Sequence, residues 1–497
     1  MGVNPPAATS ILSSPSPSSS LSPPSLAPPT RQGSPVDGYN RWKEDLAVIQ
    51  KLGIKHYRTS LAWARLYPDG DGTKPPNAAA IAHYKAWFKA YADAGIDVLV
   101  TLYHFDLPQA LQARYGGWAD ERVVADFTAY AKTAMRELGP YVRTWLTFNE
   151  PKNGCFLGWS TGIFAPFLKD PAAKTPEGSA AGWKCMHNMV ASHAAVAKFY
   201  ATLPAPAGGG KLGAALDTEW TIPLDETNPL DVEAAQRYID YRLGIFADPL
   251  WKGDWPASVR ARIPPSVLPP ISAALRADLL AHKPSTFYIN HYSTKVIKHA
   301  AGYTGGYGEG LTDYGEQYEY ANGTKVGPVA DSSWLYVVPS GLRSLLNYVN
   351  KVYKPQSVVV SESGVDVPDE AAKGREEVLK DDFRVDYYKG YVKAASDAKT
   401  IDGVPVDLYL AWSLTDGVEW AEKMTKLFGI VWTDYAKGGE RVPKDSAYWL
   451  AETFRTLNST APAAKKAPAA EPKAPAAEKP AAEPKAVAVG KPGPASI

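Results

Sequence analysis

From residue 37 to residue 457 the apolar positions switch repeatedly between two periods, one helical and one extended. "YNRWKEDLAVIQKLG" (39–53) carries apolar side chains at helical spacing and stops at a glycine. "KHYRTSLAWARL" (55–66) then predicts a strand, "IAHYKAWFKAYADAG" (81–95) a helix and "IDVLVTLYHF" (96–105) a second strand. A helix at about 121–138 precedes "YVRTWLTFNEP" (141–151). "KLGAALDTEW" (211–220), "STFYINHYS" (285–293), "QSVVVSESG" (356–364) and "VDLYLAWSLTDG" (406–417) continue the series, most of them after a helical stretch. Seven short apolar strand candidates in βα order describe a parallel sheet with helices outside it. This repetition, without a Gly-rich phosphate fingerprint after the first strand, predicts an α/β fold of the (β/α)8 TIM-barrel type rather than a doubly wound sheet.

The periodicity vanishes at both ends. Residues 1–36 are mostly Pro, Ser and Ala with Arg31 the only charge, which predicts a disordered leader. They lack the basic start and apolar stretch of a secretory signal, so cytoplasm or plastid is expected before secretion. Residues 458–497, with "TAPAAKKAPAAEPKAPAAEKPAAEPKA", predict an extended tail, leaving 37–457 as the barrel domain. Lys plus Arg number 53 against 52 acidic residues, which removes the basic face that nucleic acid or an anionic membrane needs. No run of eighteen apolar residues occurs, so a soluble protein is expected. The two cysteines, Cys155 and Cys185, form no C-x-x-C pair and no disulfide framework is expected from them. Fifteen Trp and 28 Tyr suit the C–H faces of sugars, although a large core absorbs most of them.

In such a barrel the chemistry lies where the strands end at their C-terminal side. Those positions hold Arg58, His104 with Asp106, Asn149 with Glu150, Glu219, Asn290 with Tyr292, Glu362, and Trp412 leading to Glu419. A carboxylate there is ordinarily a solvated loop charge or a helix cap, but Glu150 has company. Carboxylates, one imidazole, amides and aromatic rings make a polyol pocket rather than a metal or phosphate site, so neither metal nor cofactor is expected. Glu150 and Glu362 stand on different strands that a closed barrel brings face to face, as glycoside hydrolysis requires. Three other motifs carry less. "GWSTG" (158–162) matches a nucleophile elbow around Ser160, but no strand precedes it and Pro166 follows. His187 and His193 are six positions apart, which puts them on different helix faces and predicts packing. "GYTGGYGEG" (302–310) lacks the Lys-Ser/Thr of a phosphate loop.

With these segments in view, residues 37–457 resemble glycoside hydrolase family 1, the β-glucosidase family. "TFNEP" and "VVVSESG" are similar to its two catalytic segments, and "LAWSLTDGVEWAEKMTKLFGIVWTDY" to its last barrel strand and glycon loop. "HYRTSLAWARLYPDG" and "VTLYHFDLPQALQARYGGW" match its earlier strands. The resemblance implies a retaining β-glycosidase acting on a small-molecule β-glycoside. It implies Glu150 as acid/base, Glu362 as nucleophile, and Arg58, Asn290 and Tyr292 as support for the nucleophile. It also implies substrate contacts from His104, Asn149, Tyr292, Trp412, Glu419 and Trp420, with Trp334 at the aglycone entrance. An acid at Glu150, where the thioglucosidase branch has Gln, implies O-glycosides; Glu419 implies an unphosphorylated sugar.

The family also opens with a strand ending in a Gln that grips the glycon, before a Q-x-E-G motif. This sequence has no such segment; "PAATSIL" (6–12) is similar only to its start. The first barrel strand is therefore expected to be missing or degenerate, and the alternative reading is a weakened or inactive sugar-binding relative. Phe105, His291 and Ser363 replace the family's Trp, Tyr and Asn without removing a catalytic group.

Overall fold

The computed structural model describes residues 36–171, 179–204, 210–300 and 314–460, with 458–460 described by backbone alone. The Pro/Ser leader, "PAATSIL", the 302–310 loop and nearly all of the tail lie outside the described residues. Twelve strands occur among them: β1 (His56–Ser60), β2 (Asp97–Tyr103), β3 (Val142–Asn149), β4 (Lys211–Asp217), β5 (Trp220–Pro223), β6 (Thr286–Asn290), β7 (Thr294–His299), β8 (Tyr314–Gln317), β9 (Ser357–Ser363), β10 (Val406–Ala411), β11 (Val431–Asp434) and β12 (Glu440–Pro443). Seven of them, in the order β1-β2-β3-β4-β6-β9-β10, form one parallel sheet. They are the seven that the apolar pattern marks out, and together they make a nearly closed TIM barrel.

Each crossover runs through a helix whose apolar stripe faces the sheet. Arg122–Leu138 shows how the sequence sets this up. Its buried residues Val123, Phe127, Tyr130, Ala131, Ala134, Met135 and Leu138 recur at three- and four-residue steps, the spacing of one helical face. Burying a large side chain of this kind is worth about 1.5–3 kcal/mol. Trp63, Trp118, Phe127, Tyr130 and Phe148 continue that contact as an aromatic cluster, with Trp63 stacked on Tyr130 at 5.1 Å. Most of the aromatic load therefore goes to packing.

Inside the barrel, Leu99, Leu146, Ala215, Tyr288 and Val359 meet, one from each of β2, β3, β4, β6 and β9. Gly213 is needed beside them, because a Cβ there would lie 2.6 Å from the Tyr288 ring. Leu408 and Leu410 of β10 join this layer only half-buried. The reason is the seam. No ladder joins β10 to β1 among the described residues, and β1 is half-exposed throughout while β3 and β9 are buried along almost their whole length.

Four details depart from the sequence reading. The first strand stops at Ser60, and Trp63–Leu66 forms a short helix that buries Trp63 and Leu66. Two small sheets, β5-β7-β8 and the antiparallel pair β11-β12, were not foreseen. The last helix, Asp445–Thr460, runs three residues beyond the expected domain end at 457. Cys155 and Cys185 are not independent: they form a disulfide, fully buried, with their Cα atoms 5.5 Å apart. Spacing along the chain hid this pair, because one cysteine lies on helix Pro151–Trp159 and the other on Ala180–Tyr200, which the fold packs side by side.

Candidate active site

Parallel strands that all run the same way put their last residues on one rim. Asn149 closes β3, Asp217 closes β4, Asn290 closes β6 and Glu362 is the penultimate residue of β9. Glu150 takes the turn out of β3. Its backbone N–H still donates to Ala215 at 2.8 Å, as a strand residue would, while its carbonyl accepts from Gly154 at 3.0 Å, as the first turn of a helix would. Pro151, pre-set for a first helical position, opens Pro151–Trp159 immediately afterwards. Switching from strand to helix within one residue leaves Glu150 left-handed at φ 43°. Non-glycine residues hold such a conformation at a cost of about 1–3 kcal/mol, and such sites concentrate where function needs them. Phe105 (φ 66°) and Trp420 (φ 43°) flank the same rim in the same region of backbone space.

One hydrogen-bond network joins Glu362 to Glu150. Arg58 donates from Nη1 to Glu362 Oε1 at 2.5 Å and from Nη2 to Asn149 Oδ1 at 2.6 Å. The Tyr292 hydroxyl donates to the other Glu362 oxygen at 2.7 Å. Asn290 Nδ2 donates to Asn149 Oδ1 at 3.1 Å and to Glu150 Oε1 at 2.8 Å, and Ser361 Oγ donates to Asn290 Oδ1 at 2.7 Å. Asn153 Nδ2 reaches Glu150 Oε2 at 2.9 Å and Asp217 Oδ2 at 3.0 Å. Asn290 thus contacts the carboxylate opposite to the one expected: its amide serves Glu150 and Asn149, while Arg58 and Tyr292 serve Glu362.

Burial and like charge dominate the electrostatics. Removal from water pushes Glu362 up to about 7, and Glu150 adds to this against the pull of Arg58 and Tyr292. Burial likewise takes Glu419 to about 8, with Glu362 and Glu150 contributing. Burial drives His104 down to about 3, and the Arg58 charge adds to it, so its ring is neutral. A neutral ring fixes its contact at 3.1 Å as Asn149 Nδ2 donating to His104 Nε2, an assignment made from the network.

The aromatic residues stand around these polar groups. His104 stacks on Trp420 at 5.4 Å and Trp412 at 6.0 Å, and Phe105 and Phe164 also lie against Trp420, at 4.9 and 5.6 Å. A cavity of about 220 Å³ opens between Trp412, Glu419, Lys426 and Phe428. Gly364 permits this arrangement, since a Cβ would collide with the Trp412 carbonyl at 1.8 Å. Trp334, 39% exposed, stands edge-on to Tyr292 at 6.0 Å.

The remaining candidates lie elsewhere. Glu219 is occupied by Arg242 at 2.7 Å and Tyr238 at 2.8 Å; burial would raise it, but Arg242 and Lys295 hold it well below the usual range. Ser160 follows a helix rather than a strand. His193 meets the Thr147 hydroxyl at 2.8 Å inside the core, and His187 packs near Trp255. Sequence reading missed Asn153, Asp217 and Ser361. Asn153 had a local signal, standing three residues after Glu150 at the start of a helix. The segment "KLGAALDTEW" suggests Glu219 as the strand end, but β4 stops two residues earlier, at Asp217.

A parallel barrel whose rim presents two carboxyls within one amide and guanidinium network, beside stacked rings, has the architecture of a glycoside-cleaving enzyme. Comparison with known proteins narrows the class. The model of glycosyl hydrolase family 1 matches residues 29–458. β-Glucosidase 42 of Arabidopsis thaliana is 38% identical over 421 residues, covering 84% of this chain and 83% of that protein. β-Glucosidase 1B of Phanerodontia chrysosporium is 37% identical over 446 residues, 88% of this chain and 80% of its own. Among solved structures, Trichoderma reesei β-glucosidase 2 in complex with Tris superposes with a TM-score of 0.80 at 36% identity, over 85% of this chain and 89% of that one. A rice β-glucosidase mutant in a covalent complex with glucose gives 0.79 at 36% identity, over 84% and 88%. The chain belongs to glycosyl hydrolase family 1. It is a glycosidase of the β-glucosidase type that hydrolyses O-glycosyl bonds with retention of configuration.

Proposed function

We propose that Glu362 is the nucleophile and Glu150 the acid/base of this hydrolysis, acting on terminal β-D-glucosides. The observation that carries the assignment is the division of donors: Glu362 takes a guanidinium and a phenol, while Glu150 takes the amides of Asn153 and Asn290. A cation and a hydroxyl on Glu362 favour its ionised form and aim it. Glu150 is contacted by the side-chain amides of Asn290 and Asn153.

In the first step Glu150 delivers its proton to the glycosidic oxygen as a Glu362 oxygen bonds to the anomeric carbon, and the C–O bond to the aglycone breaks. Esterification removes the Glu362 charge, which lets Glu150 take a proton from water. The water oxygen attacks the anomeric carbon and the ester bond to Glu362 breaks. Asn149, held by Arg58 and Asn290, faces the position of a sugar 2-hydroxyl. His104, Trp412, Glu419 and Trp420 form the glycon wall, with Tyr292 bridging nucleophile and sugar and Trp334 outside it for the aglycone. The rice relative's covalent complex with glucose supports a glucosyl-enzyme intermediate. The near-neutral charge supports a small-molecule substrate rather than nucleic acid. The Cys155–Cys185 bridge supports a compartment where disulfides persist, against the expectation of cytoplasm or plastid.

Glu362→Gly should abolish hydrolysis of an aryl β-glucoside, and added azide should restore turnover with an α-glucosyl azide product. Azide rescue that yields the β-azide, or full activity of the variant without azide, contradicts the assignment.

A further inference from the structure

The loop that carries Glu419 and Trp420 has no core of its own: no residue from Gly417 to Lys426 is buried. Its neck is closed where Asp416 Oδ1 accepts the Gly429 N–H at 2.8 Å, and a Cβ at Gly429 would lie 2.2 Å from the Asp416 nitrogen. Two buried cations hold that neck. The β11–β12 hairpin starts just beyond it and returns so that the Lys444 N–H donates to the Ile430 carbonyl at 2.9 Å. Lys444 Nζ then donates to Asp416 at 3.1 Å and to Glu370 at 2.7 Å. Arg384, on helix Asp382–Thr400, donates from Nη2 to the Leu427 carbonyl at 2.7 Å and pairs with Glu370 and Asp381. Both cations are 0% exposed, and neither lines the cavity.

Resting on the reading of Glu419 and Trp420 as glycon wall, we propose that Lys444 and Arg384 are positioning residues that fix the neck of this loop. They thereby set how strongly the enzyme selects for the hydroxyls at the far edge of the sugar. Glu362 and Asn149 take the C1 and C2 end, so a sugar held between them and Glu419 turns its 4- and 6-hydroxyls toward Glu419. Contacts of this kind fail when their carrier moves by about an ångström. Buried ion sets are often no more stabilising than apolar side chains of the same volume, so stability alone does not account for this one. What it supplies is direction: each cation ties a fixed point of the neck to an element outside the cavity. The exposed arm has contacts of its own, Lys426 to Asp331 at 2.8 Å and Trp420 on His104, but both depend on where the neck places it.

The test uses the full chain and one ratio, kcat/KM for 4-nitrophenyl β-glucoside over that for its 4,6-dideoxy analogue. The ratio does not depend on how much of the protein is folded, so a merely structural role leaves it unchanged. Lys444→Met should lower it about tenfold, because the displaced loop loses contacts that only the glucoside makes. Asp416→Asn keeps an oxygen for the Gly429 N–H and leaves Glu370 and Asp381 to face the two cations. It should lower the ratio in the same direction, and it supplies the reading where Lys444→Met yields no folded enzyme. A parental ratio in Asp416→Asn, or in folded Lys444→Met, overturns the anchor. Glu419→Ala separates the two levels of the proposal and should lower the ratio as well. If it leaves the ratio at the parental value, the glycon reading falls and the anchor falls with it. If it lowers the ratio while Lys444→Met and Asp416→Asn do not, the anchor alone falls.

Discussion

Glu362 is pulled in opposite directions. Burial and the neighbouring Glu150 raise it to about 7, while Arg58 and Tyr292 oppose them. The proposed attack by Glu362 requires its ionised form, so activity of the free enzyme should rise as pH passes through the Glu362 value. Each lost donor moves that rise to higher pH. Tyr292→Phe removes a 2.7 Å hydrogen bond to the carboxylate without changing ring volume, and the acid limb of kcat/KM should shift upward relative to the parent. A limb that stays put, or moves to lower pH, would show that Glu362 does not control it. Residues marked by a short contiguous motif stand out in the sequence, as Glu150 in "TFNEP" and Glu362 in "VVVSESG" do, and the structure places both on one rim. Residues defined by a partner across the barrel do not. Asn290 reads the same whether it faces one carboxylate or the other, and only the pairing of β6 with β4 and β9 decides between them.

Helix Pro151–Trp159 links Glu150 to the core. It begins at Glu150, carries Asn153 toward Asp217, and its Cys155 is bonded to Cys185 of Ala180–Tyr200. A cross-link closing a sequence separation of 30 should stabilise the fold by about 3–4 kcal/mol in the chain-entropy account. Cys155→Ser combined with Cys185→Ser should therefore lower the unfolding free energy in urea by that amount, and thiol titration of the unreduced, unfolded parent should find no free thiol. Two free thiols in the parent, or equal stability of the double variant, would exclude the bridge. At this scale the sequence reveals what persists over many residues. The seven barrel strands and the long amphipathic helices show clear periods, whereas β5, β8, β11 and β12, at four residues each, are shorter than the windows in which a period can be seen. Trp63–Leu66 was absorbed into its strand for the same reason.

The barrel as a whole is defined by what the seven strands share and by where they stop sharing it. β3 and β9 are paired on both sides and carry the two carboxyls, while β1 and β10 each leave one edge without a strand partner among the described residues. Paired strands should resist hydrogen exchange and unpaired edges should not. Peptides covering 56–60 and 406–411 should exchange faster than those covering 142–149 and 357–363; equal protection would mean that the seam is covered. Fold class was legible because a repeated βα alternation has few other solutions. Closure was not, since it depends on contacts between the first and last strands of the sheet. Double displacement with Glu362 as the proposed nucleophile requires that Glu362 become covalently attached to sugar. Inactivation with 2,4-dinitrophenyl 2-deoxy-2-fluoro-β-D-glucoside, followed by peptide mass spectrometry, tests this directly. One fluoroglucosyl group on the peptide containing Glu362 is predicted; a label on another residue, or active turnover with no trapped adduct, would contradict it.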